Sequence, residues 1–162
     1  MAEDITIDHT ISKEEKYKQL IPLIKAVVEG ERDIFANLGN TIAALKSVLG
    51  FFWIGFYIVK EDELVLGPFQ GSVACTRIKK GKGVCGTCWE KGEVIIVPDV
   101  DQFPGHIACS SLSKSEIVLP VFHRGQVLMV FDIDSDVLND FDAIDEKYLL
   151  EVVKIIEDLL EG

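Results

Sequence analysis

Residues 51–59 read FFWIGFYIV. Aromatic and β-branched residues crowd this stretch, and such side chains suit a pleated, half-buried strand. Successive strand side chains point to opposite faces. The even positions Phe52, Ile54, Phe56 and Ile58 then form an uninterrupted apolar face, while the odd positions bring Trp53, Gly55 and Tyr57 to the other. Two aromatics with a glycine between them leave a hollow over the backbone. The strand is followed by Lys60-Glu61-Asp62 and then ELVLGPF (63–69), which reads as a hairpin.

On the N-terminal side the period changes from two to that of a helix. Residues 31–48 place Ile34, Leu38, Ile42, Leu45 and Val48 on one side, and residues 13–29 do the same with Tyr17, Leu20, Ile24 and Val27. Pro22 is expected to bend or split that first helix. Residues 1–12 read as a flexible arm. On the C-terminal side a short helix is expected from Gly83 to Gly92, a strand at EVIIVPD (93–99), and a loop over 100–115. Strands EIVLPVF (116–122) and QVLMVFDID (126–134) follow around His123-Arg124-Gly125. A last helix carries Ile144, Tyr148, Val152, Ile155 and Leu159 between about Asp142 and Leu160. Helices at both ends and antiparallel hairpins between them make an α+β domain over 13–162, with a central antiparallel sheet and the N- and C-terminal helices packed on one face.

The 162 residues suit one domain. A net charge of −11 argues against nucleic acid as a partner, because phosphate binding needs a basic face. It argues equally against an anionic membrane surface. The N-terminal MAEDITIDHTISKEEKYKQ is acidic and polar, unlike a signal peptide, and no apolar run approaches the roughly 18 residues of a membrane span. A cytoplasmic location is expected, where thiols stay reduced. Cys75, Cys85, Cys88 and Cys109 are then free thiols, ligands or catalytic groups.

The strand at 127–134 repeats the pattern of the opening stretch. Val127, Met129, Phe131 and Ile133 read as its core face, and Asp132 and Asp134 share the other face with Leu128 and Val130. Two carboxylates on one face of an apolar strand repel unless a cation meets them. Glu116 opens the preceding strand and supplies a third. Carboxylates beside aromatic faces suit a small cationic or zwitterionic ligand. The competing readings are a solvated strand end for the aspartates and plain packing under a helix for Trp53 and Tyr57.

GVCGTCW (83–89) holds Cys85 and Cys88 in a C-x-x-C. With His106-x-x-Cys109 it has the two-knuckle spacing of a structural zinc site. Yet a domain with an ample core has little need of a structural metal, and no metal is expected. A thioredoxin-type C-x-x-C needs a βαβ unit with a parallel sheet, and the pattern has none.

The segments GPFQGSVAC (67–75), GKGVCG (81–86), PDVDQFPGHIAC (98–109), SEIVLP (115–120) and DIDS (132–135) resemble, in order, the free methionine-(R)-sulfoxide reductases, a family built on one GAF-type domain. Cys88 departs from that family's pattern and reads as a bystander. The resemblance implies a substrate pocket of Trp53, Tyr57, Glu116, Asp132 and Asp134. It implies attack on the substrate sulfur by Cys109 and resolution of the resulting sulfenic acid by Cys75, with Cys85 eligible for either role. Arg77, Lys79 and Lys80 are then expected to favour a thiolate at Cys75, and His106 to be a hydrogen-bonding loop residue. No cofactor is implied. The expected partners are free methionine sulfoxide, thioredoxin as external reductant, and a second copy in a homodimer. The rival readings are a GAF-type sensor that binds a small molecule without chemistry, and a zinc-stabilised interaction domain.

Overall fold

The period-two stretch is the strand β1 (Trp53–Lys60), and it lies at the centre of the sheet. The structure is a computed structural model and describes residues 4–107 and 109–162. Residues 1–3 of the expected arm and Ala108 lie outside the described residues. Helices α1 (Lys13–Val28) and α2 (Ile34–Leu49) precede β1. After it come β2 (Glu63–Gln70), β3 (Arg77–Lys79), α3 (Gly83–Lys91), β4 (Ile95–Val97), β5 (Ser115–His123), β6 (Gln126–Ser135) and α4 (Ala143–Glu161). The sheet order is β3-β2-β1-β6-β5-β4, with every pair antiparallel.

Strand alternation divides the sheet between two apolar clusters. Ile54, Phe56, Ile117, Leu119, Met129, Phe131 and Ile133 face α1, α2 and α4, which cover one face. Phe56 and Phe131 are cross-strand partners and stack at 4.3 Å between ring centres. Trp53, Tyr57, Val118 and Val130 face the other way, against α3 with its buried Val84, Cys85 and Cys88. The two ends of the chain are tied together by Asp145 of α4, 1% exposed. It accepts hydrogen bonds from Tyr17 Oη (2.7 Å) and Lys13 Nζ (2.8 Å) of α1. Residues 4–12 form neither helix nor strand, and Ile7 among them is buried in the main core, with Ile5 and Ile11 packed alongside.

The expected phase fails at two strand ends. Phe52 precedes β1 and packs on the α3 side instead of joining Ile54 and Phe56. Val127 and Leu128 exchange faces, because a bulge lies between the pairs Val121–Met129 and Phe122–Val127. One extra residue on β6 turns every later side chain to the opposite face. Pro22 does not split α1, which runs unbroken through it. Its ring is exposed. Strand β3 was not expected. Its three residues are too short to show a period, and Ile78 alone turns inward.

Candidate active site

Three central strands bring the acidic and aromatic residues into rows. Glu116 of β5 pairs with Asp134 of β6, which pairs with Trp53 of β1. In the next row on the same face Val118 pairs with Asp132, and Asp132 with Gly55. In the row beyond, Val130 pairs with Tyr57. Directly opposed residues have Cβ atoms about 4.5–5.5 Å apart, so the three carboxyls are held together by register alone. The hollow expected over Gly55 is filled by the indole of Trp53. A Cβ at Gly55 would lie 2.7 Å from Trp53 Cη2, and one at Gly71 would also strike that ring. Trp53 stacks on Phe69 at 5.3 Å and on Tyr57 at 6.1 Å.

Both aromatics also hold the segment that carries Cys75. Trp53 Nε1 donates to the Ser72 carbonyl (3.0 Å) and Tyr57 Oη to the Cys75 carbonyl (2.9 Å). Cys75 is disulfide-bonded to Cys109, with their Cα atoms 5.4 Å apart. The cleft between these segments is lined by Trp53, Tyr57, Cys85, Glu116, Asp132 and Asp134, and Cys109 also borders it. The other wall is the start of α3. Gly86 lets that helix approach closely, since a Cβ there would lie 2.5 Å from the Lys79 carbonyl oxygen. Cys85 and Cys88 are free and buried. Cys109 is bonded to Cys75, so the four-residue zinc set of the sequence pattern is split between a disulfide and α3.

Burial dominates the electrostatics. It pushes Glu116 well above the usual carboxyl range, and the charge of Asp132 adds to the rise. Asp134 is pushed well up by the same two causes, and a hydrogen bond with Glu116 opposes them. Asp132 is raised by burial, with hydrogen bonds from Glu116 and Cys85 working against it. Its buried Oδ1 has no well-formed hydrogen bond among the described residues. Burial, then Asp132, hold the Cys85 thiol well above its ordinary value, and the same causes push Cys88 up to about 12. A cleft of this kind keeps protons on carboxyl groups at neutral pH, so they can donate to an oxygen of a bound ligand.

All eight residues singled out from the sequence meet here, Cys75 through its backbone carbonyl and its disulfide. The expected cations do not. Arg77 pairs with Glu63 (3.0 Å), Lys80 lies over the Trp89 ring, and Lys79 is exposed on β3. The lysine that lines the cleft is Lys82, at the start of α3. His106 lines it too, while its backbone N–H donates to the Phe103 carbonyl (3.1 Å). Ser72, Ser110 and Ser113 were also missed. Their nearness to Cys75 and Cys109 in sequence was the available signal.

The GAF domain family matches residues 29–161. GAF domain-containing protein A of Dictyostelium discoideum is 58% identical over 98% of this chain and 100% of its own. Free methionine-R-sulfoxide reductase of Escherichia coli (strain K12) is 44% identical over 93% of this chain and 92% of its own. Among solved structures, the free methionine-R-sulfoxide reductase of Neisseria meningitidis in complex with its substrate superposes with a TM-score of 0.93. It shares 50% identity over 99% of this chain and 95% of that one. Likeness of this extent, around a cleft of buried carboxyls, paired aromatics and cysteines, places the chain in the GAF-domain family of free methionine-R-sulfoxide reductases.

Proposed function

We propose that this protein reduces free L-methionine-(R)-sulfoxide to methionine. The observation that carries the reading is the meeting, in one cleft, of two buried carboxyls, the half-buried Asp134, the Trp53–Tyr57 pair and the Cys109 sulfur. The aromatic faces receive the substrate's methyl and sulfur. Asp132 and Asp134 receive its ammonium and give up their protons to solvent as the cation binds, while Glu116, the most buried of the three, keeps its proton and donates to the sulfoxide oxygen. The Cys109 thiolate attacks the substrate sulfur. The oxygen passes to Cys109 as a sulfenic acid and methionine leaves. The Cys75 thiol then displaces that oxygen as water and forms the disulfide, which a dithiol must reduce. Cys85, whose thiol burial keeps protonated, is left as a reserve resolver.

Thioredoxin in a reducing cytoplasm is the proposed dithiol. Supporting it, the half-buried disulfide is flanked in the chain by exposed apolar side chains, with Val73 90% and Leu112 62% exposed. No helix among the described residues is long and apolar enough to cross a membrane. A homodimer is proposed through the end helices, because Leu23 and Val27 of α1 and Leu150 of α4 are exposed; a monomer mass by light scattering at micromolar concentration would exclude it. The deciding experiment is a thioredoxin-coupled NADPH assay. Turnover is expected on free L-methionine-(R)-sulfoxide and none on the N-acetylated, C-amidated form, because a pocket that binds the ammonium has no room for a peptide bond. Comparable rates on the two would refute the reading. One addition of substrate without reductant should yield a Cys75–Cys109 link by mass spectrometry, and Cys109→Ser should yield no methionine.

A further inference from the structure

Cys85, Glu116 and Asp132 each offer a ligand atom, and these three atoms lie within 4.8 Å of one another. All three residues are buried, and Asp132 Oδ1 is buried without a well-formed hydrogen bond. An ion at the centre of a triangle with such sides would be at most about 2.8 Å from each corner, against about 2.3 Å for a zinc–sulfur and 2.0–2.2 Å for a zinc–oxygen bond. Side-chain movements well under an ångström close that gap. One sulfur and two carboxylates suit a borderline-soft divalent cation and not calcium or magnesium, which take oxygen ligands throughout. Three anionic ligands also favour a dication over a single ammonium. His106 also lines the cleft.

We propose that Cys85, Glu116 and Asp132 form a binding site for zinc or cadmium, and that occupancy shuts the enzyme by filling the acidic end of the cleft. The thiol proton and the protons held on Glu116 and Asp132 are released to solvent as the metal–ligand bonds form. The metal takes Asp132 from the substrate's ammonium and Glu116 from its sulfoxide oxygen, so inhibition is competitive. This second half rests on the reductase reading, and the binding half does not.

The disulfide-linked protein isolates the site, because there Cys75 and Cys109 have no free sulfur to offer. Titration with cadmium should give one equivalent bound, with an ultraviolet thiolate-to-cadmium charge-transfer band. Cys85→Ser should lose the band, Cys88→Ala should keep it, and Glu116→Gln should weaken binding about 10–100-fold. Cadmium NMR of the unsubstituted disulfide-linked protein reads a one-sulfur, oxygen-rich coordination sphere without relying on a variant's folding. In the reduced enzyme, zinc should raise KM for the sulfoxide, leave kcat unchanged, and be reversed by a chelator. Absence of the band at stoichiometric cadmium, or a band that survives Cys85→Ser, overturns the site. Binding with unchanged KM overturns the inhibitory half, and binding in a protein without reductase activity refutes the reductase reading while the site stands.

Discussion

Gly55→Ala adds one methyl group at the floor of the cleft. Its Cβ would lie 2.5 Å from Phe69 Cβ, 2.7 Å from Trp53 Cη2 and 3.0 Å from Trp53 Cζ3, whereas ordinary contact begins at 3.4 Å. The indole must therefore shift by roughly 0.7 Å, and β1 and β2 must part by roughly 0.9 Å at the Gly55–Phe69 pair. Neither movement is free, because Trp53 is held by its bond to the Ser72 carbonyl and by its stack on Phe69. Overpacking of this kind costs about 1–3 kcal/mol. For a domain of this size each kcal/mol lowers Tm by about 2–4 °C. A misplacement of about 1 Å can cost about 100-fold in rate, so a shift somewhat smaller should lower kcat/KM on free methionine sulfoxide by about tenfold, or about 1.4 kcal/mol. The assays are thermal unfolding and steady-state kinetics. Gly39→Ala is the control, since a Cβ there meets no atom within 4 Å inside α2, and it should stabilise by about 0.4–1 kcal/mol. Wild-type Tm and kcat/KM in Gly55→Ala would refute the packing of Trp53 over Gly55 as the device that shapes the cleft.

Burial holds protons on Glu116, Asp132 and Asp134 in the native state that the unfolded chain releases, so these groups make stability fall as pH rises from about 4 through their raised native values. Glu116→Gln should flatten that fall and raise Tm at neutral pH by about 2–4 °C, for about 1 kcal/mol, while lowering kcat; a Tm–pH profile identical to wild type would contradict it. Asp145→Asn removes the charge that Tyr17 and Lys13 bind, and should lower stability by about 1.5–3 kcal/mol without changing kcat below Tm. Tyr57→Phe keeps the ring and loses the bond to the Cys75 carbonyl, worth about 1 kcal/mol. Trapping with a sulfenic-acid reagent after one turnover should then capture up to about fivefold more sulfenic acid, and unchanged trapping would show that the bond does not position the resolving cysteine.

The sequence made the sheet faces legible because alternation is a local signal. Trp53 and Tyr57, and Asp132 and Asp134, lie two residues apart, so their shared face needs no tertiary knowledge. That β5, β6 and β1 are neighbours in the order that makes Glu116, Asp134 and Trp53 a row is a long-range property, which only the registered sheet displays. The bulge that reverses Val127 and Leu128 left no local mark. The cations failed for a similar reason. Nearness to Cys75 in sequence suggested Arg77 and Lys80, but β3 aims Arg77 at Glu63, and Lys80 reaches the Trp89 ring. Lys82 reaches the cleft because the chain turns there into α3.

Two buried carboxyls and a half-buried third on one sheet face, with the buried Cys85 thiol of α3 against them, work against folding, since each prefers water and each charge raises the cost of the next. The opposite face supplies what offsets this. Ile133 stands between Asp132 and Asp134, is 0% exposed, and points into the cluster under α1, α2 and α4. Phe131 does the same one step earlier, against Phe56. A slip of one residue in β6 would put both aspartates into that apolar core and both large apolar side chains into the cleft, at a cost no helix packing could recover. The apolar face therefore does more than stabilise the domain. By forbidding the slipped register it fixes which residues of β1 and β5 oppose the aspartates, and so holds the carboxyls against the aromatic pair before any ligand arrives.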